Sequence, residues 1–209
     1  MEERKITGQE SLEIITAMIS RTRSRLNLGD GDIMLMWGYL TVAVTALVWV
    51  LITITRSPAV NWLWFLIWII GGTATPIMVR KKTKVVGAKS YTDRISTAIW
   101  TVVGLSSLAA MAMCLGFLFL LHSDAWSMMF LFALIIVTFG EIAQGIIIDE
   151  KSFVYGGSVG MLVGIFTACC IAGDVPMYAH WYLPLFMLAF VCMMIIPGHI
   201  LNAKARKAQ

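Results

Sequence analysis

The stretch RKKTKVVGAKSYTDR, residues 80–94, decides how this chain folds. It contains six basic residues and separates two long apolar segments, one ending at Val79 and the other beginning at Ile95. Positive charge resists translocation across a membrane, so loops rich in Lys and Arg remain on the cytoplasmic side. The stretch therefore predicts a cytoplasmic loop between two membrane-spanning helices.

Apolar segments of this kind recur along the whole chain. A helix needs roughly 20 residues to cross the hydrocarbon core of a bilayer. The segments that approach or exceed this length are 33–55, 62–79, 95–121, 126–148, 153–172 and 181–200. The sequence therefore predicts an all-α membrane protein: a six-helix transmembrane domain (33–200) between an N-terminal surface region (1–32) and a basic tail (201–209).

The remaining basic residues predict the orientation of these helices. Fifteen of the sixteen Lys and Arg residues lie before the first segment or in the alternate gaps on the same side, and Arg56 is the exception. Both termini are therefore predicted to be cytoplasmic, in the inner membrane of a bacterium. Tryptophan prefers the headgroup region, and it occurs at both kinds of segment end: Trp37 and Trp100 inside, and Trp62, Trp64 and Trp126 outside.

The composition argues against several classes of function. Hydrophobic residues make up 59% of the chain and charged residues 13%, whereas charged residues are about 25% of a soluble domain. The net charge of +4 follows from the cytoplasmic excess of Lys and Arg and does not indicate nucleic-acid binding. The sequence shows no catalytic or cofactor motif, so neither an enzyme nor a cofactor is predicted.

The segment from Thr7 to Asn27 is too polar to span a membrane but has the spacing of a surface helix. Its apolar residues recur at steps of three and four, which places Leu12, Ile15, Ile19 and Leu26 on one face. We expect such a helix to lie on the inner membrane surface, with Arg21, Arg23 and Arg25 on anionic lipid headgroups. The alternative is that the apolar face packs on cytoplasmic loops or on a second subunit.

Glu141 is an acidic residue inside a predicted span, about 10 Å from its inner end at 1.5 Å per residue. An ionised acid at the centre of a membrane helix costs about 2.5–3.5 kcal/mol, and no Lys or Arg lies at a comparable depth. Glu141 is therefore predicted to be neutral and hydrogen-bonded, or ionised in a wet cavity. The polar residues expected around it are Gln144, Thr41, Thr73, Ser106 and Ser158.

Two segments contain residues that weaken a helix. Gly71, Gly72 and Pro76 lie in the second segment, and Pro197 lies in the sixth. Proline removes a backbone hydrogen bond, and paired glycines lower the cost of bending. These positions are predicted to form a static kink or a hinge.

The fifth segment contains a row of small residues spaced by four: Gly156, Gly160, Gly164 and Ala168. Such rows let two helix backbones approach closely in lipid. The row predicts either packing against the fourth or sixth span, or the seam of a homo-oligomer.

The outer loops contain four residues of the types that bind Zn²⁺, namely His122, Asp124, Asp174 and His180. Their spacing matches no known zinc signature, and polar residues are ordinary in outer loops. A metal site is therefore not predicted.

Four stretches together resemble a family of small bacterial six-span membrane proteins of unknown function: residues 20–26 (SRTRSRL), 37–39 (WGY), 61–65 (NWLWF) and 196–202 (IPGHILN). The resemblance covers most of the chain. It implies the same polytopic membrane fold and brings no activity with it.

Two classes of function remain open from the residues. One is a transporter or sensor of protons or a small solute, with a cavity near Glu141. The other is a structural or regulatory membrane partner without transport, docked through its basic cytoplasmic segments. An intramembrane enzyme is not favoured, because the spans contain no paired acids and no Ser/His arrangement.

The predicted orientation can be tested by cysteine labelling. In a cysteine-free background, we expect thiols at Ser57, Ser123 or Val175 to react with a membrane-impermeant reagent added outside. A thiol at Ala88 should react only after permeabilisation, because the basic loop is retained inside. External labelling at Ala88 would contradict the prediction.

Overall fold

The computed structural model describes residues 8–10, 12, 13 and 16, and then 30–86, 91–122 and 125–207. Of these residues, 92% are helical and none is in a strand. The helices are α1 (Asp30–Thr55), a 3₁₀ helix (Pro58–Trp64), α2 (Phe65–Val86), α3 (Tyr91–Leu120), α4 (Trp126–Ile147), α5 (Lys151–Ala172), α6 (Ala179–Phe190), a π-helical turn (Val191–Ile195) and α7 (Ile196–Lys207).

Within the described residues, six helical stretches are long and apolar enough to cross a membrane: Gly31–Thr55, Pro58–Lys81, Asp93–Leu120, Trp126–Ile147, Lys151–Ala172 and Ala179–Lys207. The prediction of an all-α multi-pass membrane protein is therefore confirmed. The last stretch joins α6, the π turn and α7 into one rod, so the region predicted as a basic tail is helical as far as Lys207.

Little of the predicted N-terminal surface helix falls in the described part of the chain. Residues 8–10, 12, 13 and 16 are helical, and Leu12 is 65% exposed. Arg21, Arg23 and Arg25 lie outside the described residues, as do Ile15, Ile19 and Leu26.

Short connections between helices share one backbone feature, a residue with positive φ. Arg56, His122, Asp149 and Asp174, each just after a helix, have φ between 50° and 55°. After α4, the Glu150 N–H donates to the Gly145 carbonyl at 2.8 Å, and α5 ends with the equivalent bond from Val175 to Cys170. These bonds satisfy the last free carbonyls of each helix and reverse the chain at once. Consequently α4 packs antiparallel to both α3 and α5.

The α6–α7 rod occupies the centre of the bundle. It packs against α1 and α5, and α4 packs against α5 and α3. The side chains at these contacts are almost completely buried, as for Leu134, Phe153, Tyr182 and Met193. In contrast, α2 packs on α1 and α3 packs on α4, and the two hardly touch one another within the described residues.

The row of small residues in α5 packs inside the molecule. A Cβ added to Gly156 would lie 2.6 Å from the Cys192 carbonyl oxygen, in the π turn. One added to Gly160 would lie 2.5 Å from Cγ2 of Thr138, in α4. Gly164 likewise faces α4, while Ala168 is half-buried. The three glycines therefore bring α5 onto α4 and the rod, rather than forming the alternative oligomer seam.

Polar contacts join the helix ends on the side of the bundle that contains Asp30 and Lys207, the terminal side. They are Asn202 to Asp32 (2.6 Å), Tyr39 to His199 (2.8 Å) and Lys204 to Glu150 (2.7 Å). Burial raises the pKa of Glu150, but hydrogen bonds from Lys204 and Ser152 and the charge of Lys204 outweigh it. The pKa of this carboxyl is therefore below its ordinary value.

The glycine contact with the rod can be tested by substitution. We expect Gly156→Ala to lower the free energy of unfolding by about 1–3 kcal/mol, because the added methyl meets backbone that cannot move freely. Gly72→Ala is the control, since a Cβ there meets open space. Thermal unfolding in detergent measures both, and equal stability of the two variants would contradict this role of Gly156.

The Glu150–Lys204 pair predicts a pH-dependent contribution to stability. Because the folded-state pKa of Glu150 is lowered, the stabilisation is present above the ordinary carboxyl pKa of 4.5 and is lost as the pH falls through the folded-state value. We expect Lys204→Met to cost about 1 kcal/mol at neutral pH, a modest value because Lys204 is 55% exposed.

This cost should shrink in acid. The control is Lys151→Met, which removes an exposed lysine that has no ion pair within the described residues. A pH-independent loss in Lys204→Met would show that the lysine acts through packing alone.

Candidate functional site

A cavity of about 300 Å³ lies in the core where α2 and α3 separate. Its lining runs along α4 from Trp126 to Gln144, a rise of about 27 Å at 1.5 Å per residue. The hydrocarbon core of a bilayer is about 30 Å thick. The cavity therefore extends over most of the depth of the membrane-spanning bundle.

Aromatic side chains dominate the lining. Five of the eight tryptophans and five phenylalanines contribute, and the tryptophans are Trp37, Trp64, Trp68, Trp100 and Trp126. Four of these five were identified in the sequence as membrane-interface residues. Trp64 and Trp126 lie at helix ends, Trp37 and Trp100 lie two to three turns inside α1 and α3, and all four line the cavity.

Trp37 connects α1 to α2 at the cavity wall. Its indole Nε1 donates to Oγ1 of Thr75 at 3.0 Å, and this hydroxyl donates to the Gly71 carbonyl at 2.7 Å. The ring lies directly on Gly71, where a Cβ would overlap it. Gly71, identified in the sequence as a possible hinge, therefore provides the space for this ring.

The other proposed hinge positions do not interrupt their helices. α2 continues through Gly72 and Pro76 to Val86. The departure from α-helical geometry lies in the π turn Val191–Ile195, which ends two residues before Pro197. This turn packs on Gly156, and its buried Met194 lines the cavity.

A cluster of aromatic rings closes the bundle on the side opposite the termini. Trp62 contacts Phe119 and Trp126, with ring centroids 6.2 and 6.0 Å apart. Deeper in the cluster, Phe130 makes edge-to-face contacts with Trp64 at 5.2 Å and with Phe186 at 5.0 Å. Such pairs add to the stabilisation that burial provides. The cluster brings the 3₁₀ helix together with α3, α4 and α6 on the side opposite the termini.

The polar groups of the site lie toward the terminal side. Gln144 lines the cavity, and Glu141 lies three residues earlier on the same helix. The two side chains are 1% and 0% exposed, respectively. Both carboxylate oxygens of Glu141 and Oε1 of Gln144 are buried with no hydrogen-bond partner in the described part of the chain. A buried acceptor left unpaired is costly, so these oxygens require a proton, a donor or a positive charge.

Two of the residues expected around Glu141 lie elsewhere. Thr73 is exposed and donates to the Ile69 and Ile70 carbonyls of its own helix. Ser158 is also exposed and donates to the Val154 carbonyl. Both face the outside of the bundle, because their side chains point away from the packed faces of α2 and α5. Ser106 is half-buried and does not line the cavity.

The hydroxyl of Thr41, which was expected near Glu141, does line the cavity. Three further hydroxyl residues that were not expected there also line it: Thr75, Ser96 and Ser107. A signal for part of this set is visible in α3, where the lining residues Ser96, Trp100, Val103 and Ser107 recur at steps of three and four. This spacing places small and aromatic residues on one helical face.

The loop residues weighed as metal ligands do not form a site in the described residues. No group of three His, Cys, Asp or Glu side chains there is arranged to hold an ion. His180 stacks on Tyr178, with ring centroids 5.7 Å apart. Asp124 lies outside the described residues.

Comparisons of the chain with protein-family models, with curated proteins and with solved structures find no match.

Proposed function

We propose that the protein binds a small, largely apolar solute in the cavity, as a transporter or sensor, and that binding is linked to the protonation of Glu141. The observation that carries this proposal is the aromatic-lined cavity that reaches Gln144, next to a buried acid with no hydrogen-bond partner among the described residues. Binding sites for small molecules are typically concave and mostly apolar, with a few placed polar groups and volumes of about 300–1,000 Å³.

The extent of the cavity favours movement or sensing across the bilayer over a purely structural role. A structural core would be filled by side chains, because protein interiors pack densely. Here α2 and α3 flank an open space that follows α4 from Trp126 to Gln144. The same two helices pack on few neighbours, so they are the elements best able to move when a solute enters.

The proton link rests on Glu141 and Gln144. Ionisation of a fully buried carboxyl without a partner is unfavourable, and protonation removes the charge. An amide both donates and accepts, so Gln144 can accept from a protonated Glu141 or donate to its carboxylate. The protonation state of Glu141 would then change what Gln144 presents to the cavity.

We propose further that the protein lies in a bacterial inner membrane with both termini in the cytoplasm. The alternation of Lys and Arg along the chain supports this orientation. The polar end of the cavity, with Gln144 and Ser96, would then be the cytoplasmic end.

The role of the cavity as a binding site can be tested by filling it with a larger side chain. Gly104 lines it, and a Cβ at this position meets open space. In a screen of small apolar solutes monitored by tryptophan fluorescence, we expect wild type to bind some of them and Gly104→Leu to bind at least about tenfold more weakly. The control is Gly116→Leu on the same helix, where a Cβ also meets open space but the residue does not line the cavity.

The proton link is tested with a bound solute from that screen. Over about pH 5 to 8, wild-type affinity or flux in proteoliposomes should change with pH, and Glu141→Gln should fold but lose this dependence. If wild type binds no solute and shows no pH response, the proposal is refuted and the role as a structural partner is favoured.

A further inference from the structure

The described groups in and beside the cavity offer hydrogen-bond acceptors but no positive charge. No Lys or Arg among the described residues lines it. The nearby buried atoms that have no partner in the described part of the chain are the two carboxyl oxygens of Glu141 and Oε1 of Gln144, and all three are acceptors when Glu141 is ionised. A site with unsatisfied acceptors and no positive charge of its own favours a ligand that supplies donors or positive charge.

The aromatic lining has the same preference. The face of an aromatic ring carries negative potential, and tryptophan attracts a cation more strongly than tyrosine or phenylalanine. Five tryptophans from α1, α2, α3, α4 and the 3₁₀ helix surround the cavity. Cation–π attraction is strongest in desolvated sites, and this lining is largely apolar.

Gln144 provides the connection between the cavity and the acid. Glu141 does not itself line the cavity, whereas Gln144 does, and the two are separated by about 4.5 Å along the helix axis. With Glu141 ionised, the Gln144 amide can donate toward the carboxylate and turn its carbonyl toward the cavity. A positive charge in the cavity would then meet a carbonyl oxygen first and the full charge of Glu141 behind it.

We infer that the solute is an organic cation with an apolar or aromatic body, and that Glu141 is its counter-charge, acting through Gln144. The inference rests on the proposed function of the cavity and specifies its ligand class. Proton and cation compete, because each neutralises the same buried carboxylate. The cation enters when Glu141 loses its proton and leaves when the proton returns.

Other charged groups at this end of the bundle are placed apart from the cavity. Glu150 is engaged by Lys204. None of the other charged or titratable side chains that the structure describes at this end of α1 to α5 and the rod lines the cavity: Asp32, Tyr39, Arg80, Lys81, Asp93, Arg94, Asp149, Lys151, Tyr155, Cys192, His199, Arg206 and Lys207. We therefore assign the competition between proton and cation to the carboxylate of Glu141.

The test uses two ligands of the same shape that differ in charge. Benzyltrimethylammonium is the cation, and neopentylbenzene, with carbon in place of nitrogen, is the neutral isostere. Full-length protein in nanodiscs is titrated with each while tryptophan fluorescence is recorded. We expect wild type to bind the cation at least about tenfold more tightly than the isostere, and cation binding to weaken as the pH falls.

Two variants test whether Glu141 is responsible for the preference for the cation. Glu141→Gln should bind the two ligands with similar affinity, whereas Glu150→Gln, which also removes one acid from this end, should keep the preference for the cation. A preference that persists in Glu141→Gln would overturn the role of Glu141. The wild-type comparison of the two ligands needs no variant, so the ligand class remains testable even if Glu141→Gln does not fold.

The remaining outcomes separate this inference from the proposed function. Equal binding of both ligands by wild type, with both lost in Gly104→Leu, overturns the cation class and leaves the cavity as a solute site. The same holds if neither ligand binds while a neutral solute from the screen does. Failure of every solute to bind overturns both proposals.

Discussion

The close approach of α5 to the π turn is the contact on which the rest of the structure depends. Gly156 lies so near the Cys192 carbonyl that no side chain fits between them, and Gly160 allows Thr138 and Met193 to meet over the same helix. In lipid, apolar side chains gain little from leaving their surroundings, so close van der Waals packing drives association. This contact joins α4, α5 and the central rod, and α1 also packs on that rod.

The cavity forms because the packing of this core leaves a space between α2 and α3. α2 is anchored to α1 through Trp37 and Thr75, and α3 is anchored to α4, where Val103 packs on Gly140. Because each flanking helix has one principal partner, a space remains between them, closed at one end by aromatic rings. The arrangement combines a rigid centre with two less constrained helices, as a protein that admits a solute would require.

Glu141 lies on the face of α4 that meets this core. In a structure that satisfies nearly all of its other buried polar side-chain atoms within the described residues, the unpartnered atoms belong to Glu141 and Gln144. Other buried polar side chains do have partners, as in the hydrogen bond of 2.9 Å between the hydroxyls of Thr167 in α5 and Tyr182 in α6. The concentration of unsatisfied acceptors beside an open cavity is the main physical argument for a functional site there.

The sequence alone was sufficient for the helices and for the buried acid, because hydropathy, length and the rarity of charge within a span are local properties. It also indicated the close-packing row in α5, since small residues at a spacing of four share one helical face. It could not show which face of each helix points toward the cavity and which toward lipid. Lipid and protein core are both apolar, so the sequence pattern hardly separates Ser106 from Ser107, or the outward Thr73 from the cavity-lining Thr75. Only the packing of α2 and α3 against α1 and α4 fixed those rotations, and with them the cavity, its tryptophans and the position of Gln144 at its polar end.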